Sequence, residues 1–389
     1  MRVVVPFGPH HPALHEPEHF TFEVEGEIVV RVKPRIGYVH RGIEKLAETK
    51  TWIQNQYLVE RICGICNVSH TLCYVEAVED LLGIEPPRRA RYLRLIAHEL
   101  NRLHSHLLWL GVIAELMGFT TVFMYTWRDR EIVMDLMEEL TGNRLLSAFN
   151  KIGGVSRDVS DAFIGTLLRA LDHLNERFKR YLEVVIEDPT IRARTQGIGR
   201  LDKVKAASYC VVGPVARASG LSWDVRVDRP YAAYDEVPYR IVTRSEGDVW
   251  ARLAVRAEEL LTASEAIRHA ATHLPEGPIR YAAPRKMPEG EGVGIVEAPR
   301  GELLYHVISD GGDKPYRLKV RTPTLANILA ACEAFVGSTI ADIPMILGSI
   351  DPCFSCMDRL AFVDLSKGKR WVMTPLEIER KFGGRCEAR

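Results

Sequence analysis

Two Cys-x-x-Cys pairs near opposite ends of the chain constrain its fold more than any other feature. The first lies in Arg61-Ile62-Cys63-Gly64-Ile65-Cys66 and the second in Asp351-Pro352-Cys353-Phe354-Ser355-Cys356. The two-residue spacing turns both sulfurs of a pair the same way, and thiolates select soft or borderline metals such as zinc, nickel and iron. A site that uses both pairs requires a fold that closes over residues 67–352.

Composition narrows the classes of partner. The chain has 389 residues, enough to bury a site deeply, and its 51 basic side chains equal its 51 acidic ones. This balance gives no indication of a nucleic-acid partner or an anionic membrane surface. Eight cysteines without an evident signal peptide favour a reducing compartment and metal binding over disulfides. We expect ordinary core or surface roles for the four unpaired ones, Cys73, Cys210, Cys332 and Cys386.

The hydrophobic pattern predicts a mainly α-helical chain with small β pieces. Apolar and polar residues alternate over 20–25, which predicts strands within residues 1–35. Apolar residues recur at steps of three and four over 93–110 and again over 164–185, as in two long amphipathic helices. Further expected segments are a helix over 246–273, a β-rich stretch over 293–322 and a helix over 324–336.

One domain is the simplest organisation. It would span residues 1–359, with an N-terminal β segment 1–35, a helical body 45–275 and a mixed segment 293–359, followed by an extension 360–389.

The best candidate for a membrane span is Leu107–Tyr125. Its two glycines and the β-favouring run Thr120–Phe123 instead predict a buried helix that runs into a turn.

Residue spacing alone leaves two kinds of metal site open. A four-thiolate site can hold a structural zinc, although zinc ribbons close loops of about 15–20 residues rather than a loop of this length. The same sulfurs can hold a catalytic centre. The sequence context of each pair, Arg-x-Cys-Gly and Asp-Pro-Cys, is not needed for a zinc staple and favours the catalytic interpretation.

With these contexts, the chain resembles the large subunit of nickel–iron hydrogenases. It is most similar to the membrane-bound, energy-converting branch and to formate hydrogenlyase, which are related to the quinone-site subunit of respiratory complex I. The resemblance implies the helix-bundle core of that subunit type, and it implies that complex I relatives lack the four cysteines kept here. Supporting segments are Gly8–Pro12, His40–Lys45, Glu99–Leu103, Gly213–Pro214, Arg217–Gly220 and Glu297–Glu302.

The resemblance also implies a ligand set. Cys63 and Cys353 would be terminal nickel ligands, while Cys66 and Cys356 would bridge nickel and iron. The iron would carry one carbon monoxide and two cyanides, which implies dedicated maturation proteins. The chain has no phosphate-binding loop of the Gly-x-Gly-x-x-Gly type, so we expect neither nucleotide nor flavin.

Catalytic roles follow from the same resemblance. Dihydrogen would split heterolytically, and its proton would go to Cys353, with Arg300 as the competing base. Glu16 would then relay the proton, since a carboxylic acid can both accept and donate. Considered without the family, Glu16 is more simply an exposed loop charge.

Other residues are expected to line the site or to lie away from it. Pro323 and Thr324 would line the pocket, Arg300 would donate to a cyanide, and His70 would hydrogen-bond near a cysteine sulfur. We expect His98, His104 and His106 to be surface or helix-contact residues rather than ligands.

The end of the second motif departs from many hydrogenases. Arg359 stands where they have a histidine that joins a glutamate at the Glu44 position around a metal ion. Arginine cannot ligate a cation, so we predict a buried Glu44–Arg359 ion pair in place of that metal. By the resemblance, arginine is usual at this position in the energy-converting branch. By family analogy, maturation would cleave after Arg359 and remove residues 360–389. A buried strand at Leu360–Val363 is the alternative.

The implied partners are an iron–sulfur small subunit, membrane antiporter-like and complex I-like subunits, and the maturation proteins. The chain has too few spare cysteines at cluster spacing to hold its own iron–sulfur clusters. We therefore expect a cytoplasmic location, peripheral on the inner face of the cell membrane through partner subunits.

Overall fold

The computed structural model describes residues 1–357 and the backbone of two short strands, 362–364 and 369–371. The predicted mainly α class with small sheets is confirmed. The helices are α1 Ile43–Ala47, α2 Trp52–Val59, α3 Asn67–Leu82, α4 Arg88–Leu116, α5 Thr120–Thr141, α6 Asp161–Glu187, α7 Pro189–Thr195, α8 Lys203–Ser208, α9 Gly213–Ala218, α10 Val225–Asp228, α11 Val249–Thr272, α12 Pro323–Phe335 and α13 Ile343–Ile350. The strands are β1 Arg2–Phe7, β2 His19–Glu25, β3 Ile28–Arg35, β4 Asn150–Lys151, β5 Gly154–Val155, β6 Glu289–Ala298, β7 Gly301–Asp310, β8 Arg317–Arg321, β9 Phe362–Asp364 and β10 Lys369–Trp371.

The N-terminal sheet holds the second cysteine motif against its inner face. Its strands pair antiparallel in the order β1-β2-β3. Alternate residues of β2 are buried, as the sequence pattern predicts. The Phe20 ring lies 6.1 Å from that of Phe335 and 6.2 Å from that of Phe354, centroid to centroid. The β1–β2 loop is thereby carried to the segment that contains Cys353 and Cys356.

Long helices form the body of the molecule. α4 packs against α5 and α11, and α11 packs against α6. All three long helices expected from the sequence are present. None of the helices in residues 1–357 combines the length and low charge of a membrane span.

The buried helix that runs into a turn, expected over Leu107–Tyr125, is confirmed, since α4 ends at Leu116 and Gly118 lies in the turn that follows. The β-favouring run Thr120–Phe123 forms the first turn of α5, after a tight turn at Gly118. Packing of α5 along α4 outweighs the β propensity of four residues, which depends strongly on context.

A second sheet positions the first cysteine motif and Arg300. β6, β7 and β8 pair antiparallel, and α3 lies across β6 and β7. Gly294 makes this close approach possible, since a Cβ there would lie 2.2 Å from the Cys73 carbonyl oxygen. α3 begins directly after Cys66, and the two-residue turn between β6 and β7 carries Arg300.

Candidate metal centre

The fold brings all four motif cysteines together in its interior. Cys63 and Cys66 lie just before α3, and Cys353 and Cys356 follow α13. Cys353 Sγ is 3.5 Å from Cys63 Sγ and 3.0 Å from Cys356 Sγ. The sulfurs of Cys63, Cys66 and Cys356 lie within 4.8 Å of one another. Each side chain is buried, so the cluster predicted from the two distant motifs forms.

The chemistry of these donors fits a soft metal centre. Hydrogen bonds from Cys353, Cys356 and Cys66 hold the pKa of the Cys63 thiol well below its ordinary value. The pKa of Cys356 is raised, first through its hydrogen bond with Cys353 and then through the other two sulfurs. Four sulfurs in so small a volume cannot all ionise without a cation, so metal binding would release protons. Nickel with iron fits this donor set, and so does zinc.

Arg300 supplies an uncommitted donor at the cluster. Its Nε donates to the Asp351 carbonyl oxygen at 2.9 Å, and Nη2 lies 2.8 Å from Asp351 Oδ1. Nη1 is buried and has no hydrogen-bond partner among the described residues. Burial opposes its charge, but Asp351 and the thiolates outweigh burial and raise the pKa of Arg300. A buried N–H without a partner, on a side chain that interacts electrostatically with Cys353, Cys63 and Cys66, fits an additional acceptor at the centre.

Two glycines let the Arg300 turn sit close to α9. A Cβ on Gly213 would lie 2.3 Å from the Gly301 Cα, and both residues have positive φ. The β6–β7 turn is thereby fixed between α9 and the loop after α13.

Glu16 contacts the second motif and is not an exposed loop charge. One carboxylate oxygen accepts from the Ser355 backbone N–H at 2.9 Å, and the other accepts from the Ser355 hydroxyl. Cys353 Sγ lies 4.0 Å from Glu16 Oε1. Burial raises the pKa of Glu16, although the Ser355 N–H opposes that shift. The structure therefore places the Glu16 carboxyl group beside the Cys353 sulfur, and its role as a proton relay stays a prediction.

Thr324 contacts the site, and Pro323 directly precedes Thr324 in the chain. Both are buried in the first turn of α12. Thr324 Oγ1 accepts from the backbone N–H of Cys353 at 3.0 Å, which holds the main chain of Cys353 in place. Their contact with a diatomic ligand stays a prediction.

His70 lies between a sulfur and a tyrosine that sequence reasoning missed. His70 Nε2 is 3.8 Å from Cys356 Sγ, and Nδ1 is 2.7 Å from the Tyr305 hydroxyl oxygen. Burial lowers the pKa of His70 to about 4. The alternating pattern of β7 predicts that Tyr305 points inward, but it does not show that it meets His70.

Arg41 was also missed as a site residue. Its guanidinium donates to the carbonyl oxygens of Arg61 at 2.8 Å, Ile62 at 2.7 Å and Ser355 at 2.8 Å. It thus ties the first cysteine motif to the second. In the sequence, Arg41 stood out only as part of a family-like segment.

The Glu44–Arg359 ion pair stays a prediction. Glu44 is buried, and its carboxylate accepts from the Val320 N–H at 3.0 Å and from Lys319 Nζ at 2.8 Å. Arg359 lies outside the described residues, as do Cys386 and the proposed cleavage point. In the extension, β9 and β10 pair antiparallel.

The three histidines of α4 are buried, so a surface position is wrong for each. His98 lies 3.0 Å from Ser69 Oγ, His104 accepts from Arg130 Nε at 2.9 Å, and His106 lies 2.8 Å from Glu259. α4 is covered on several sides by α3, α5, α11 and α13, which leaves it little exposed surface. Their roles as helix contacts are as predicted.

The unpaired cysteines within the described residues are ordinary. Cys73 and Cys332 are buried and Cys210 is exposed, as expected.

Comparisons with known proteins agree with this arrangement. Residues 41–141 match the family model of nickel-dependent hydrogenases, and residues 117–287 and 281–359 match that of the 49 Kd subunit of respiratory-chain NADH dehydrogenase.

Individual relatives align over nearly their whole length. Membrane-bound hydrogenase subunit alpha of Pyrococcus furiosus is 39% identical, over 97% of this chain and 91% of its own. Carbon monoxide-induced hydrogenase of Rhodospirillum rubrum is 42% identical, over 91% and 99%. A subunit of the NADH-quinone oxidoreductase of Rhizobium etli is 36% identical, over 92% and 95%.

A solved structure shows the same fold. A chain of the membrane-bound sulfane sulfur reductase, an archaeal respiratory membrane complex, matches with a TM-score of 0.87 and 34% identity, over 92% of this chain and 98% of its own. The expected helix-bundle fold is thereby confirmed. These relatives carry different activities on one fold, so the site must decide among them.

Proposed function

Because this chain belongs to the family of nickel-dependent hydrogenases and 49-kDa subunits of respiratory complex I, we propose that it is the catalytic large subunit of a nickel–iron hydrogenase. It would interconvert dihydrogen with protons and electrons. The observation that carries this proposal is the cluster of four buried cysteine sulfurs with the unpaired N–H of Arg300 beside it.

The ligand assignment follows the two motifs. Cys63 and Cys353 would hold nickel, and Cys66 and Cys356 would lie between nickel and iron. When bound, such a centre polarises dihydrogen so that it splits heterolytically. Arg300 Nη1 would donate to a cyanide of the iron, because it is buried and otherwise unsatisfied among the described residues.

Proton movement can be assigned to the protein's own atoms. Cys353 Sγ would accept the proton and pass it to Glu16 Oε1, which lies 4.0 Å away. Hydrogen bonds from the Ser355 N–H and hydroxyl hold the Glu16 carboxylate in position. Thr324 of α12 fixes the backbone of Cys353. Both groups that would carry the proton, the Cys353 sulfur and the Glu16 carboxylate, are thus held in position.

Electrons would leave through a partner. The sequence carries no cysteine set at iron–sulfur cluster spacing besides the metal-site pairs, so an iron–sulfur small subunit would receive them. Relatives named as a membrane-bound hydrogenase subunit and as part of a respiratory membrane complex favour membrane partners. These partners would hold the chain on the inner face of the cell membrane. Maturation proteins would supply the diatomic ligands.

The decisive experiment combines metal analysis with infrared spectroscopy of the native complex. We expect stoichiometric nickel, with one carbonyl and two cyanide bands between roughly 1,900 and 2,100 wavenumbers. Cys353→Ser should lose nickel and all three bands, whereas Cys210→Ser, a change at an exposed cysteine, should keep them. Zinc without these bands would establish the structural site instead. Quinone or sulfur reduction by a nickel-free native complex would overturn the hydrogenase assignment.

Glu16→Gln tests the proton route separately from the metal centre. The amide cannot carry a proton between Cys353 and solvent. The rate at which the enzyme exchanges deuterium gas with the protons of water should therefore fall by at least about 100-fold, the scale of general acid–base catalysis. Nickel content and the infrared bands should remain. Glu23→Gln on β2, whose carboxylate pairs with Lys33 away from the site, is the control. Normal exchange in Glu16→Gln would exclude Glu16 as an obligatory relay.

A further inference from the structure

A buried file of three side chains leads away from one metal-site sulfur. It runs from Cys356 Sγ to His70 Nε2 at 3.8 Å, and from His70 Nδ1 to the Tyr305 hydroxyl at 2.7 Å. His70 is 1% exposed and Tyr305 is fully buried. Because both side chains are buried, the hydrogen-bonding role of each group depends on its neighbour in the file.

The chemistry of the file fixes the direction of both hydrogen bonds once Cys356 binds a metal. A metal-bound cysteine is a thiolate and has no proton to donate. His70 must then present an N–H at Nε2, because a lone pair there would face the sulfur's lone pairs. In the neutral ring Nδ1 then becomes the acceptor, and the Tyr305 hydroxyl must donate to it.

The surrounding structure keeps Tyr305 in this position. Tyr305 lies in the middle of β7, where it pairs with Gly294 of β6 and Val320 of β8. Its ring meets that of His70 edge-on, with centroids 5.9 Å apart, and meets that of Tyr74 in the same way at 6.3 Å. The hydroxyl therefore cannot turn away from His70 without disturbing the sheet or the ring packing.

We propose that Tyr305 is a positioning residue whose hydroxyl donates to His70 Nδ1 and so holds the ring with its Nε2–H directed at the Cys356 thiolate. The inference rests on the proposed function only in requiring that Cys356 bind metal as a thiolate. A hydrogen bond to a ligand sulfur withdraws electron density from the metal, so Tyr305 tunes the centre without touching it.

Tyr74 provides a matched control for the test. It is also a fully buried tyrosine in the same ring cluster, but its hydroxyl donates to the Trp52 carbonyl oxygen at 2.9 Å, away from the metal site. Tyr305→Phe and Tyr74→Phe each remove one buried hydroxyl and leave the ring. A general loss of packing or stability should affect the two alike.

In the native complex, Tyr305→Phe should keep its nickel and shift the carbonyl band to lower wavenumber. When the His70 ring is no longer held by Tyr305, its hydrogen bond to the thiolate weakens. The thiolate then donates more electron density to the iron, which weakens the carbonyl bond. Tyr74→Phe should leave the band in place. His70→Gln should alter it, and adding Tyr305→Phe to that variant should produce no further shift. An unshifted band in Tyr305→Phe, an equal shift in Tyr74→Phe or additive shifts would overturn the proposal.

A second measurement separates this proposal from the hydrogenase assignment. The full chain can be loaded with zinc alone, which also makes Cys356 a thiolate, and labelled with ¹⁵N at histidine. The nitrogen chemical shifts of His70 should report a proton on Nε2 in both proteins, with the Nδ1 signal shifted in Tyr305→Phe because Nδ1 has lost its hydroxyl donor. Missing diatomic bands in the wild-type complex would defeat only the hydrogenase assignment. An Nδ1-protonated His70 in the zinc-loaded wild type would defeat the role of Tyr305.

Discussion

At the scale of single residues, Glu18 is a carboxyl group buried with little compensation. One oxygen accepts from the His19 backbone N–H at 3.0 Å, and the other has no hydrogen-bond partner among the described residues. Burial raises the pKa of Glu18 to about 8. In the unfolded chain the group ionises near its ordinary value, about 4.5. The stability it contributes is therefore complete below about pH 4.5 and is lost as the pH rises to about 8.

Glu18→Gln should remove this pH dependence. The amide keeps the shape of the side chain and cannot ionise, so the variant should gain stability over the wild type as the pH increases from 5 to 8. Urea unfolding midpoints measured across this range test the difference. Glu25→Gln, at an exposed ion pair with Arg2, should differ from the wild type by a small amount that stays nearly constant. A constant difference for Glu18→Gln would contradict the assignment.

Residues differ in how far the sequence reveals their roles. The cysteines and Arg300 lie within short motifs whose residue types carry the chemistry. Arg41 and Tyr305 act through contacts with distant parts of the chain, because Arg41 reaches Ser355 and Tyr305 reaches His70. No local pattern encodes such contacts. Glu16 lies between these cases, since only its resemblance to a family residue distinguished it from a loop charge.

At the scale of elements, periodicity predicts the helices well and their surroundings poorly. The leucines of α4 form the expected buried seam, but every polar residue from Arg94 to His106 is buried too. Glu99 and Arg102 pair at 3.0 Å inside the protein. Hydrophobic periodicity predicts that such charged residues face solvent, because it cannot show that a residue of opposite charge pairs with them inside the protein.

Glycines in strand β6 show a second limit of sequence reading at this scale. Gly292 and Gly294 weaken a strand by propensity, yet they lie where α3 crosses the sheet. A Cβ on Gly292 would lie 2.1 Å from the Ala77 carbonyl oxygen. The close approach of α3 sets the position of Cys66 and His70. Gly292 and Gly294 therefore shape the site indirectly, by allowing α3 to pack closely against β6.

At the scale of the whole molecule, an ion network joins the helical body to the metal site. Arg217 of α9 is fully buried and lies 2.8 Å from Glu259 of α11, 2.8 Å from Glu297 of β6 and 3.1 Å from Asp224 beside α10. Glu297 is three residues before Arg300 on the same strand and turn. The carboxylates are expensive to bury alone, so one guanidinium holds several elements in register around the site.

Arg217→Met should therefore cost both stability and metal. It leaves three buried carboxylates without their shared cation, and breaking a buried pair from one side costs about 3–5 kcal/mol. Arg244→Met, which removes a partly exposed pair with Glu258, should cost about 1 kcal/mol or less. Urea unfolding of the full chain measures both losses. Because Glu297 adjoins the Arg300 turn, Arg217→Met should also lower nickel content in the native complex, whereas Arg244→Met should not. Full nickel in an Arg217→Met protein of reduced stability would show that the network supports the fold without positioning the site.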